Sequence, residues 1–370
     1  KIAYPEFGMK VTTVNGQSVD GNSISFKALE KITVEGEVLD ASGQLVTDFT
    51  GIVNPTVKDS KVTVTCLKNS NKDDSPAFTF TDYPNTIFIG NDSVRNGKFS
   101  FTFTVPKDIS YSNLQGKMNL YAVDTESGNE AQGNFDNFIV GGTSDTAETD
   151  TIGPEIRALY LNDTTFVDGG QVNTTPYFVA ELWDKSGVNI TGSSVGHDMM
   201  LVIDESTVLS YNLNSYYELL PGEDGTGIVK FPIPALEPGK HTAEFWVWDI
   251  LNNSTVRTFT FEVVEGLKPF LFDVIATPGI AREQVTFHLM HNRPESRMRV
   301  GIMVYDLAGR QLWKHEESGT SGLFENYTVS WDLTSGGARM RPGVYIYRAA
   351  ISTDNSKDAT KARKFIILGE

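Results

Sequence analysis

Val300-Gly-Ile-Met-Val-Tyr-Asp-Leu-Ala-Gly-Arg-Gln-Leu312 reads as a strand that runs into a polar turn. Val300, Ile302 and Val304 point to one side of an extended chain, and Gly301, Met303 and Tyr305 to the other, a period of two. Residues 306–309 are a turn, with Gly309 at a position that accepts positive φ. Pro342-Gly343 is a second turn and launches Val344-Tyr-Ile-Tyr-Arg-Ala-Ala-Ile351. Lys364-Phe-Ile-Ile-Leu368 is a last short strand, and Val285-Thr-Phe-His288 an earlier one.

The same alternation extends toward the N-terminus. Ile32-Thr-Val-Glu-Gly-Glu-Val-Leu39 alternates and then turns at Asp40-Ala-Ser-Gly43, and Val62-Thr-Val-Thr-Cys-Leu67 alternates too. In Lys98-Phe-Ser-Phe-Thr-Phe-Thr-Val105, the side chains of Phe99, Phe101, Phe103 and Val105 share one face. With strands over 118–123 and 135–140, residues 1–140 predict a β-sandwich. Residues 141–150 are small and polar and predict a linker. Residues 151–265 predict an immunoglobulin-like or fibronectin-like sandwich, with strands over 177–183, 199–203, 227–232, 242–248 and 255–264. Residues 266–370 predict a third β-sandwich. No convincing helical period lasts beyond about two turns, so the expected class is all-β, three consecutive sandwich domains.

The composition of the 370 residues is globular, with 39% hydrophobic and 21% charged residues. The formal charge of −16 is unevenly spread. From Gly266 to Glu370 there are 14 Lys+Arg against 11 Asp+Glu, a net of +3, which leaves 17 against 36, a net of −19, for the rest. An acidic body argues against nucleic acid as a partner, and the change of sign places a boundary near Gly266. No apolar stretch is long enough for a membrane-spanning helix. The N-terminus carries no signal peptide, so the chain reads as a fragment or a processed product. Cys66 is the sole cysteine, so no intrachain disulfide forms.

The order of the C-terminal pieces resembles the C-terminal domain of proteins exported by the type IX secretion system. That family shows a hairpin whose alternating first strand ends in Tyr-Asp-Leu-x-Gly-Arg, a Gly-x-Tyr-x-Tyr strand and a basic-hydrophobic terminal strand. Here these fall on Tyr305, Asp306, Gly309 and Arg310, on Gly343, Tyr345 and Tyr347, and on Lys364, Phe365 and Ile366. Asn292-Arg-Pro-Glu-Ser296 and the strand at 285–288 are similar to the matching stretch of the type IX sortase, a gingipain-like cysteine protease. The two upstream segments resemble the non-catalytic part that follows its protease domain. The resemblance implies a surface-attached or secreted chain. Its partners would be an outer-membrane β-barrel secretion or attachment protein and the protease domain upstream in the same chain. It transfers no catalytic residue. Asp92-Ser-Val94, Asp163-Thr-Thr165, Asp145-Thr-Ala147 and Asp150-Thr-Ile152 resemble the short O-glycosylation signal of exported Bacteroidetes proteins.

The residues themselves give few chemical sites. A cysteine nucleophile needs a nearby histidine, and no histidine precedes His197, so Cys66 is expected to be a buried structural residue. His288 and His291, three apart on a strand, face opposite ways and make no ready metal pair. His197, His241 and His315 have no cysteine or histidine at metal spacing. Asp184-Lys-Ser-Gly-Val-Asn189 and Asp249-Ile-Leu-Asn-Asn253 are oxygen-rich loops that turns explain, with calcium as the one cofactor they suggest. Phe99, Phe101, Phe103, Trp246 and Trp248 offer a sugar-stacking platform, but their alternation makes core residues the expected reading. No phosphate loop, zinc-protease or serine-hydrolase motif is present. The expected function is the non-catalytic portion of a type IX sortase. The alternative is an adhesin-like or glycan-binding sandwich stack of a type IX cargo protein.

Overall fold

The computed structural model describes residues 5–67, 76–145, 150–192, 196–220, 225–353 and 356–369. Among them the regular structure is nearly all strand, with no α-helix and one 3-10 turn at Asn214–Tyr216. Period-two patterning is the cause. Along Lys98–Thr104, Phe99, Phe101 and Phe103 are buried while Ser100 and Thr102 face solvent. Packing divides the chain into two compact units. One comprises Lys1–Ala158, Ala180–Val229 and Ala243–Thr258, the other Leu159–Val179, Lys230–Thr242 and Phe259–Glu370.

In the first unit, strand Lys117–Asp124 pairs with Glu130–Phe135, which runs parallel to Phe7–Val14. The ladder continues through Lys31–Leu39, Lys98–Thr104 and Asp92–Arg95 to Gly51–Lys58. Gly51–Lys58 then pairs back onto Lys117–Asp124, from Lys117↔Lys58 to Asp124↔Gly51. Where the sequence predicts a two-sheet sandwich over 1–140, the hydrogen bonding instead closes on itself. Alternation dictates which side chains face inward, but it carries no information on whether the two edges of a sheet meet. Glycines mark the seams. A Cβ on Gly51 would lie 1.9 Å from the Val123 carbonyl oxygen, and one on Gly133 would lie 2.1 Å from that of Met9.

A three-stranded sheet of Leu114–Gln115, Phe138–Thr143 and Ile24–Ala28 packs with this ring. Phe26 stacks on Phe138 at 4.2 Å and meets Phe103 edge-on at 5.8 Å, within one buried cluster that draws on both sheets. Residues 141–143 of the predicted linker continue the strand Phe138–Thr143, and residues 146–149 lie outside the described residues. The same unit holds Met200–Ile203, paired with Ser210–Asn212 on one side and with residues 243–246 on the other.

In the second unit, Leu271–Thr277, Val285–His291 and Tyr327–Trp331 form a three-stranded sheet. Ile280–Ala281, Ala359–Ile367, Gly343–Ser352, Met298–Tyr305 and Gln311–Gly319 form a five-stranded one. Their inward faces share a core. Val300, Ile302 and Val304 are fully buried, and Phe287 of the smaller sheet lies 4.9 Å from Tyr347 and 6.1 Å from Phe365 of the larger. Arg293 is also buried. Its guanidinium donates to the Asn292 carbonyl and side-chain oxygens at 3.0 Å each, and to the carbonyls of Leu267 at 3.1 Å and Lys268 at 3.3 Å. It fastens the entry of this region to the end of strand Val285–His291.

Candidate functional site

The ten residues singled out near the C-terminus divide into three groups. The first makes a turn. Asp306 Oδ1 accepts the N–H of Ala308 at 3.0 Å and of Arg310 at 2.9 Å, and its Oδ2 pairs with Arg310 Nε at 3.1 Å. Those backbone donors, with the guanidinium beside them, hold the Asp306 carboxyl below the usual carboxylate range. Gly309 takes φ +83°, as the turn requires.

The second group is core. Tyr345, Tyr347 and Phe365 are 8%, 2% and 1% exposed. The Tyr345 hydroxyl donates to the Arg341 carbonyl at 2.7 Å and that of Tyr347 to the Val274 carbonyl at 3.0 Å, so each buried phenol keeps a partner. The third group faces outward. Register aligns Tyr305, Ile346 and Lys364 in one cross-strand row, and Ile280, Ile366 and Val344 in another. Ile280, Val344 and Ile346 are 56%, 39% and 37% exposed, an apolar patch with Lys364 at its side. Gly343 opens this strand opposite Ile367.

The two oxygen-rich loops converge. Carboxylate oxygens of Asp150, Asp184 and Asp249 lie within 4.8 Å of one another, with Asp184 and Asp249 buried. Each also shapes a turn. Asp184 Oδ1 accepts the N–H of Ser186 and Gly187 at 2.8 Å, and Asp249 Oδ1 those of Leu251 at 2.9 Å and Asn253 at 2.7 Å. Asp150 accepts from the Ser186 hydroxyl at 2.8 Å and from the Ile152 N–H at 3.0 Å. Burial, and then the charges of Asp249 and Asp150, push Asp184 up to about 6, and burial raises Asp249. Among the described residues these three carboxylates are the group that could hold a divalent cation such as calcium. The sequence marked Asp184 and Asp249 but not Asp150, which belongs to the predicted linker.

Cys66 is exposed, not buried, because it lies just past the short strand Val62–Thr65, which pairs only with Thr79–Asp82 among the described residues. Phe99, Phe101 and Phe103 are core, but Trp246 and Trp248 are half-buried on the face opposite Phe245 and Val247. His197, without cysteine or histidine neighbours in sequence, sits 2.6 Å from Asp108 and 4.5 Å from the Trp248 ring. Asp108 also accepts from Asn252 at 2.9 Å and Asn189 at 3.3 Å. His291 bonds to Ser321 at 2.9 Å, and burial with Arg293 nearby lowers it to about 4, so it stays neutral. Of the glycosylation-like triplets, Ser93, Thr164 and Thr151 are exposed, while Thr146 lies outside the described residues.

No family profile matches the chain. None of the curated proteins matches it either. Among solved structures, it is 37% identical to the dimeric latent PorU of Porphyromonas gingivalis over 99% of its own length, with a TM-score of 0.44. It spans 34% of that PorU chain, about a third. A tandem repeat from the extending region of a large adhesion protein covers 99% of this chain and 74% of its own at 14% identity and a TM-score of 0.20. A Bacteroides ovatus glucan-utilisation protein solved with a mixed-linkage heptasaccharide covers 98% of this chain and 71% of its own at 8% identity and 0.27. Neither of these two likenesses speaks to function. In the 292–296 stretch, which resembles the type IX sortase in sequence, Arg293 proves to be a buried anchor.

Proposed function

We infer that this chain is the non-catalytic portion of a secreted, surface-attached type IX sortase of the gingipain-like cysteine protease class. The observation that carries this reading is the 37% identity to PorU over 99% of the chain. Residues 1–140 and 151–265 support and orient a protease domain that lies upstream in the same polypeptide. Residues 266–370 are the export and attachment domain, recognised by an outer-membrane β-barrel protein. The chemistry of the described residues is consistent with a supporting role. Cys66 is exposed on a two-stranded arm, and four of the five histidines are bonded to oxygen atoms of Asp108, Glu237, Ser321 and Glu317.

In this reading the recognised surface is the outward pair of rows, Tyr305–Ile346–Lys364 and Ile280–Ile366–Val344, flanked by the Asp306–Arg310 turn. Tyr345, Tyr347 and Phe365 hold the sheet that displays it. The test is a full-length protein carrying Ile346→Asp with Lys364→Glu, both at exposed positions, followed by surface labelling of intact cells. Display should fall while the protein still folds. Undiminished display of that variant, or of a chain lacking residues 364–370, would sink the reading. Mass spectrometry of the surface form separates a retained domain from a cleaved one. An intact Glu370 terminus fits the sortase, and a trimmed tail fits a cargo protein with adhesin-like domains.

A further inference from the structure

Three neighbouring strands of the closed ring present an uncharged, amide-rich outer face. Register sets Asn54, Tyr121 and Gln132 in one cross-strand row, and Thr56, Asn119 and Asn134 in the next. These six line a shallow groove of about 560 Å³, inside the ~300–1,000 Å³ range of small-molecule sites. At strand spacing the lattice measures about 10 Å by 7 Å. Its backing is firm, since Val53, Val57, Met118 and Ala122 beneath it are fully buried.

The side chains of this face are not used internally. Asn54, Thr56, Asn119, Gln132 and Asn134 make no side-chain hydrogen bond to any described residue. Elsewhere in the chain, facing polar pairs do satisfy each other. Thr33 and Thr102 are 2.9 Å apart, Thr286 and Ser330 3.0 Å, and Gln171 and Glu262 2.9 Å. The face therefore holds a set of amide donors and acceptors with no side-chain partner among the described residues, beside a Tyr121 that is 39% exposed. The Glu130 carboxylate nearby raises the Tyr121 phenol above its ordinary range.

Charge decides the ligand class. Lys58 and Lys117 lie at one end of the lattice and Glu130 at the other, and the six central positions carry no charge in a chain whose net charge is −16. An anionic ligand would find no cation in the lattice, and nucleic acid would meet an acidic body. Planar amides that offer two donors and an acceptor each match adjacent hydroxyl groups, and an exposed tyrosine ring offers a stacking surface. We propose that this face binds a neutral, hydroxyl-rich oligosaccharide, with Asn54, Asn119, Gln132 and Asn134 as the hydrogen-bonding set and Tyr121 as the stacking ring. The site stands apart from the sortase reading and survives its failure.

The test is affinity electrophoresis of the 370-residue chain in native gels containing dextran, α-mannan or laminarin, with polygalacturonate as a charged control. At least one neutral polymer should retard the chain. Tyr121→Ala, and Asn119→Asp with Asn134→Asp, should weaken that retardation by about tenfold or more, with the melting profile kept. The Asp pair sits at exposed positions and serves as the measure if Tyr121→Ala fails to fold. No retardation by any of the three neutral polymers overturns the proposal. So does equal retardation of wild type and variants, or retardation by polygalacturonate alone.

Discussion

Arg293 illustrates how a residue that looks like surface can become structure. In the sequence it is one charged residue in a polar turn, marked only by its likeness to the sortase stretch. In the fold it is 1% exposed and donates to four oxygens of residues 267, 268 and 292. Arg293→Leu strands those oxygens, and denaturant titration should show a loss of about 2–5 kcal/mol. Asp184 tests the opposite sign. Its folded value near 6 lies above its ordinary 3.8, so its ionisation costs stability as pH rises from about 4 to about 6. In a chelating buffer, Asp184→Asn should therefore melt with the wild type at pH 4 and above it at pH 8, by about 1–3 kcal/mol. Calcium that raises the wild-type transition, and leaves the variant unchanged, would mark the carboxylates as a cation site. His291 works from the acid side. Its folded value near 4 lies below the ordinary 6.5, so stability is lost as pH falls through that window, and His291→Gln should flatten the slope in acid melting scans. None of these environments was readable from spacing, because each depends on residues that the fold brings in from far along the chain.

At the scale of strands, much was readable. The split of Val300, Ile302 and Val304 from Tyr305 is the one the alternation predicts, and the three valine and isoleucine side chains are fully buried. Gly309 carries positive φ in the turn where a glycine was expected. Gly309→Val should cost about 1–2 kcal/mol in denaturant titrations, since a β-branched residue resists that backbone region. What alternation could not reveal is how the Gly-x-Tyr-x-Tyr and terminal strands divide their labour. Tyr345, Tyr347 and Phe365 turn inward, so the recognisable letters of that motif are largely packing. Phe365→Ala should cost about 3–5 kcal/mol, which is why surface display is better probed with Ile346 and Lys364. The amide lattice was within reach of the sequence. Asn119 and Tyr121 occupy the outward positions of a strand already read as alternating, but their neighbours on Gly51–Lys58 and Glu130–Phe135 come from pairings that no local pattern specifies.

Among the described residues, one buried cluster lies within residues 9–140 and another within 271–367, with further buried apolar side chains between Tyr160 and Val263. Heating should therefore produce more than one calorimetric transition, and Arg293→Leu should displace only the one belonging to the C-terminal cluster. A single transition shifted as a whole would argue against separate cooperative blocks. The acidic residues concentrate in the first 265 positions and the small basic excess in the last 105, a contrast visible in the sequence before any fold was known. The sealed ring has a consequence for biogenesis. Its last seams join Gly51–Lys58 to Lys117–Asp124 and Phe7–Val14 to Glu130–Phe135. During synthesis, one edge of Phe7–Val14 must wait for more than a hundred residues to leave the ribosome before it meets Glu130–Phe135, and one edge of Gly51–Lys58 waits for about sixty before it meets Lys117–Asp124. Until then those edges are open templates, although the other edges can already pair with Lys31–Leu39 and Asp92–Arg95, and a holding chaperone or slow translation across that interval would decide how much of the protein escapes aggregation.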